Sequence, residues 1–98
     1  MSAQVVTTID TVIEAEHEED LIEGFRRMTA GPRPEGLIRS ELLRGQGGAW
    51  RIQTTWRDRE ALLALRATGE PPAAVALLDR LGARHSHTVH TVEHSITA

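Results

Sequence analysis

The stretch RHSHTVHTVEHSI, residues 84–96, carries four of the five histidines of the chain. Imidazole can hold a metal ion, take a proton near neutral pH, or simply hydrogen-bond at a surface, and geometry decides among these uses. In an extended strand the side chains alternate, which puts His85 and His87 on one face and His90 and His94 on the other. The His-x-His pair offers two ligands to a divalent ion, where three or four must converge. Glu93 has the parity of His87 but lies roughly 20 Å further along a strand. A metal would therefore need ligands from another strand or a second chain, and no metal site is assigned. One histidine lining a cavity, His87 or His90, is the candidate proton acceptor. The plain alternative is a strand whose imidazoles are partly exposed or bonded at an interface.

A second run, AWRIQTTW, places Trp50, Ile52, Thr54 and Trp56 on one face of a strand, opposite Ala49, Arg51, Gln53 and Thr55. The first set is the core-facing one. Such tryptophans fill core, yet a buried indole N–H needs an acceptor, and a ligand oxygen can supply it. Asp10 sits within an otherwise β-branched run, so it faces the polar side or a dimer seam. The acids from Glu14 to Glu23 read as the solvated face of a helix. The GQGG segment at 45–48 has neither a following helix nor a lysine, so it is a turn rather than a phosphate loop.

Composition narrows the chemistry. The chain has 98 residues, a net charge of −3, eleven positive side chains that are all arginine, and neither cysteine, lysine nor tyrosine. Schiff-base, thiolate and phenol chemistry are thereby excluded, as are a disulfide framework and a thiolate-held metal. The scattered arginines do not make a nucleic-acid face. No apolar run approaches the roughly 20 residues of a membrane span, and a cytoplasmic protein is expected. A chain of this size buries only about two-thirds of its unfolded surface, so one domain spanning residues 1–98, completed by dimerisation, is the expectation.

The positioning elements follow from periodicity. Residues 4–13 alternate as a first strand. A helix then carries Leu21, Ile22, Phe25 and Met28 on one stripe, with acids at its start and Arg26 and Arg27 near its end. Gly31, with Pro32 and Pro34 beyond it, reads as a glycine cap and stop. GLIRSELLR and AWRIQTTW form a hairpin around GQGG. Asp58 caps a helix that runs to about Thr68 and ends at Gly69. Pro71 and Pro72 open another helix that ends at Leu81 and Gly82. The histidine stretch supplies the last strand. The order is that of an α+β, ferredoxin-like split βαβ fold with one antiparallel sheet.

At TTWRDREALLAL, residues 54–65, the chain resembles the antibiotic biosynthesis monooxygenase family, in which a strand ends in Thr-x-Trp and an acidic or serine cap followed by alanine opens the next helix. GPRPEGLIRSELLR is similar to that family's Pro-Gly-Phe-type entry into the second strand, with Glu35 inserted between Pro34 and Gly36. The element order agrees along the whole chain.

The resemblance implies a dimeric α/β barrel, in which two protomers pack through their sheets and each keeps a pocket between sheet and helices. It also implies oxygenation of an aromatic phenol, anthrone or quinol by O₂ with no cofactor: the bound substrate loses a proton and the carbanion passes an electron to O₂. Trp56 matches the pocket tryptophan of such oxygenases, and Trp50, Ile52, Leu62 and Arg80 complete the expected substrate site. The companions differ. Ile52 stands where the oxygenases have asparagine, Leu62 where they have tyrosine, and a pocket arginine aligns near Ala76, with Arg80 one helical turn on. The heme-degrading pattern is not met: Leu65 and Val75 occupy its tryptophan and iron-binding histidine, and the chain has no asparagine. Two readings stand: a cofactor-independent monooxygenase using His87 or His90 as base, and a non-catalytic homodimer of the same fold that binds a small molecule or serves a structural role.

Overall fold

The computed structural model describes residues 3–69 and 72–98. Its elements are β1 (Val5–Val12), a 3-10 turn (Ala15–His17), α1 (Glu18–Ala30), β2 (Leu37–Arg44), β3 (Ala49–Trp56), α2 (Arg59–Arg66), α3 (Ala73–Arg80) and β4 (His85–Thr91). The strands form one antiparallel sheet in the order β2-β3-β1-β4. This is the α+β, ferredoxin-like arrangement that the periodicity implies. Among the described residues no helix is long and apolar enough to cross a membrane.

Most boundaries fall where the local chemistry puts them, and three differ from expectation. Gly31 closes α1 in an extended conformation, φ −82° and ψ −171°, not as a left-handed cap. Pro32 explains this, because a proline disfavours the helical region for the residue before it. The last strand stops at Thr91, although the histidine-rich stretch continues to residue 96. Its partner β1 begins at Val5, opposite Thr91, and one further bond from Val92 N–H to the Gln4 carbonyl, 2.8 Å, ends the ladder. His94 thus lies outside the sheet. Pro71 lies outside the described residues, and Pro72 itself is the N-cap of α3.

The β2–β3 turn needs glycine. Gly48 has φ +82°, and a Cβ there would stand 2.9 Å from the Ile13 carbonyl oxygen, which accepts no side chain at that distance. The same close approach lets Ile13 N–H donate to Gly48 O at 2.9 Å, tying the turn to the end of β1. At the far end of the hairpin Asp58 caps α2 by accepting from Ala61 N–H at 2.9 Å.

The helices cover the sheet face that bears Trp50, Ile52, Thr54 and Trp56. Under them the core divides in two. Ile13, Leu21, Trp50, Leu77 and Leu78 form one buried cluster, beneath α1 and α3. Val5, Trp56, Ala61 and Leu62 form the other, beneath α2. The opposite face carries exposed Val12, Leu43, Thr88 and His90 together with the Asp10–Arg51 ion pair, whose two bonds measure 2.7 and 3.2 Å.

Candidate functional site

Where the two core clusters part, the helix-covered face opens into a cavity of about 920 Å³. That is at the upper end of the range for small-molecule sites, roughly 300 to 1,000 Å³. Its floor is sheet: Thr7 and Ile9 of β1, Ile52, Thr54 and Trp56 of β3, and His87 and Val89 of β4. The register explains the convergence. Ile9 faces Ile52 on one side and His87 on the other, and Thr7 likewise faces Thr54 and Val89, so these side chains share one face. The walls come from the end of α1 with the Gly31–Pro34 segment, from Leu62 and Leu65 of α2, and from Ala73 and Ala74 of α3.

Trp56 is buried, and its indole N–H donates to Thr7 Oγ1 at 3.2 Å, so a neighbour on the cavity floor supplies its polar partner. Trp50 is equally buried but stands outside this cavity. Its N–H donates to Glu18 Oε2 at 3.0 Å, and the Arg44 guanidinium lies 4.4 Å from the ring centroid. Arg44 in turn meets Glu18 at 3.5 Å, closing a clamp over the indole.

The anticipated site residues therefore separate. Trp56, Ile52, Leu62 and His87 line the cavity, whereas Trp50 and Arg80 do not. Arg80 is exposed on α3. His90 projects from the opposite face of the sheet, its Nε2 3.1 Å from Thr88 Oγ1.

Three cationic residues that no spacing in the sequence links, Arg33, Arg39 and Arg66, border the cavity, and among its described lining residues there is no carboxylate. Arg39 pairs with Thr55, so its side chain leaves on the other face, where it meets Glu41 at 3.3 Å, and the cavity's positive charge comes from Arg33 and Arg66. In a chain of net charge −3 this local excess of positive charge favours an anionic or anion-forming ligand. These arginines come from a loop, an edge strand and a helix end, so only the folded chain assembles them.

Among the described lining residues of the cavity His87 is the one imidazole. Its Nε2 lies 2.8 Å from His85 Nδ1, and His85 Nε2 lies 3.0 Å from Asp79 Oδ1. The two rings meet edge to face, with centroids 4.8 Å apart. Close by α2, the bond from Ala61 N–H and then that from Arg57 hold the Asp58 carboxyl below its ordinary range. Hydrogen bonding to Asp10 correspondingly raises Arg51.

Among the described residues one trio of potential metal ligands converges, Glu14, Glu16 and His17, whose ligand atoms lie within 4.8 Å of one another. It stands beyond the Val12 end of β1, away from Trp56, which pairs with Val5 at the strand's start.

Among curated proteins none matches the chain in sequence. Solved structures match its fold. A variant of SnoaB, a cofactor-independent oxygenase from Streptomyces nogalater, superposes with a TM-score of 0.75 at 22% identity, over 99% of this chain and 100% of that one. Rv0793 from Mycobacterium tuberculosis gives 0.71 at 17% identity, over 97% and 100% of the two chains. A conserved protein of unknown function from Bacteroides thetaiotaomicron, described as a possible oxidoreductase, gives 0.70 at 15%, over 94% and 100%. At these identities the likeness is one of fold. The sequence profile of the antibiotic biosynthesis monooxygenase family, however, matches residues 4–77, most of the chain, from β1 into α3 but short of β4. The chain belongs to the antibiotic biosynthesis monooxygenase family.

Proposed function

We propose that the cavity binds a planar aromatic phenol, anthrone or quinol of polyketide type and that the protein oxygenates it with O₂, using His87 as proton acceptor and no metal or flavin. The observation that carries this reading is the convergence of His87 and Trp56 on one floor of a cavity of about 920 Å³ whose described charged side chains are all arginine. The apolar floor suits a flat ring, and the guanidinium groups favour the anion formed when the ring loses a proton.

For an anthrone the steps balance as follows. His87 takes the proton, and the resulting carbanion passes one electron to O₂. The radical pair joins through a new C–O bond to give a peroxide anion, which takes up a proton. Loss of water then breaks the O–O bond and the remaining C–H bond and leaves a ketone. One oxygen atom enters the product and the other leaves as water; the CH₂ carbon gives up four electrons and O₂ accepts four. The protein's share is to hold the ring, accept the first proton and stabilise the anion.

The test is O₂ uptake and quinone formation from a dihydroxyanthrone with a chelator present, using isotopically labelled O₂. The reading expects one labelled oxygen in the product and turnover that depends on His87. Tight binding with no turnover above the uncatalysed rate would instead establish a non-catalytic binding protein of the same fold.

The second part of the reading is a homodimer formed through the sheet face away from the helices. Val12 and Leu43 are exposed on that face, and a second copy would bury them. Sedimentation should give twice the chain mass, and Leu43→Asp should return the monomer.

A further inference from the structure

We propose that Asp79, His85 and His87 form a proton relay, in which Asp79 and His85 are positioning residues that hold His87 as a base on the cavity floor. The proposal rests on the oxygenase reading for its substrate but on this chain's own geometry for its construction.

An ionised carboxylate only accepts hydrogen bonds, so the 3.0 Å contact between Asp79 Oδ1 and His85 Nε2 places a proton on that nitrogen. In a neutral ring the other nitrogen is then a bare acceptor. It is His85 Nδ1, and it lies 2.8 Å from His87 Nε2, which must therefore carry its own proton. A neutral His87 ring carries only that one N–H proton, so its other nitrogen, Nδ1, is a bare acceptor, on a side chain that lines the main cavity. The carboxylate thus sets the tautomer of the second imidazole through the first.

The fold builds this alignment from two elements. His85 and His87 lie on one face of β4, opposite Thr11 and Ile9 of β1, and Asp79 comes from the last turn of α3, which precedes the strand. Both ends of the path are open and its middle is covered. His87 is exposed in the cavity and Asp79 is 64% exposed, whereas the His85 side chain between them is 18% exposed. His85 also lines a second, shallower depression with Trp50, Leu81 and Arg84, separate from the cavity that His87 lines. The histidine pair therefore joins the ligand cavity to the outside surface.

The transfer balances. The ligand O–H or C–H bond breaks and its proton joins His87 Nδ1. The Nε2 proton of His87 moves to His85 Nδ1, the Nε2 proton of His85 moves to Asp79, and the carboxyl group releases it to water. Rotation or back-transfer restores the first state, and no oxidant or reductant is consumed.

Proton–nitrogen correlation spectra of the full chain test the arrangement without any substrate. Wild type should show hydrogen-bonded, exchange-protected protons on Nε2 of both His85 and His87. Asp79→Ala should remove protection at His85 and weaken it at His87, and Asp79→Glu, which keeps an acceptor, should restore both. With a dihydroxyanthrone, Asp79→Ala and His85→Gln should each lower kcat by roughly 10-fold or more with KM unchanged. No protected proton at His87 Nε2 in wild type, or one that Asp79→Ala leaves undisturbed, overturns the relay. So does a kcat that neither variant changes. Spectra as expected from a protein that turns over no phenol would remove the oxygenase reading and leave the relay in place, so the two failures are distinct.

Discussion

Trp50 and Trp56 leave the same strand on the same face, and both are almost wholly buried, at 5% and 4% exposure. Their surroundings nevertheless differ in kind. Around Trp50, side chains from three elements close in: Leu21 and Glu18 from α1, Leu77 and Leu78 from α3, and Arg44 from β2. Helix meets helix there so closely that a Cβ on Gly24 would stand 2.3 Å from a Leu77 methyl group. Around Trp56 only α2 packs closely, through Ala61 and Leu62, while the chain from Gly31 to Pro34 skirts the edge instead of filling the space. One end of the sheet is thus finished by packing, and the other is left as an open cavity. A residue type and its strand parity place a side chain on a face; only the neighbours in space decide whether it is core or site.

The packed end should show the largest effect of a single substitution. Trp50→Ala should cost about 3–5 kcal/mol, the usual price of removing a large buried aromatic, and leave ligand affinity of the folded fraction unchanged. Denaturant unfolding together with ligand titration checks both halves, and a loss of affinity would show that Trp50 belongs to the site. At the open end the balance should reverse. His87→Ala should lower turnover by about 100-fold or more while shifting stability by no more than about 0.5 kcal/mol, because the side chain is exposed in the cavity. Single-turnover kinetics and thermal melts on one sample separate the two quantities.

Trp56→Phe sharpens the contrast further. It keeps a ring but loses the bond to Thr7 and some volume, so about 1–3 kcal/mol of stability should go, together with ligand affinity. Stability loss alone, with affinity intact, would make Trp56 as much a core residue as Trp50. The smallest effect concerns the turn that follows Trp56. Asp58 titrates lower in the folded chain than in the unfolded one, held there by Ala61 N–H and then by Arg57. Its stabilisation is therefore complete above the ordinary carboxylate range and is lost as pH falls through the folded value. Acid titrations of wild type and Asp58→Ala should converge at low pH and separate toward neutrality, whereas parallel curves would show that the cap contributes nothing.

Much of the fold was legible in the chain because its signals are local. Alternation marks β1 and β3, the GQGG turn joins the hairpin, and Asp58 announces α2. The core face of β3 follows from Trp50, Ile52, Thr54 and Trp56 without further information. The last strand was harder, since Val89 on one face and Val92 and Ile96 on the other leave no apolar preference. Its exposure explains that ambiguity: β4 is an edge strand with a partner on one side only, and burial selects neither face strongly. Register against β1 removes it, setting His87 beside Ile9 within the cavity and His90 beside Val6 on the other face. The arginines of the cavity and the carboxylate behind His85 were illegible for a different reason. Arg33, Arg39 and Arg66 share no period, and nothing in the sequence relates Asp79 to an imidazole across a helix-to-strand turn.

The most direct measurement is a crystal structure of the protein with a dihydroxyanthraquinone product. The rings should lie against Trp56 with a hydroxyl oxygen at about 3 Å from His87, within reach for proton transfer. A ligand seated elsewhere, or a cavity closed by its own side chains with the product excluded, would contradict that placement.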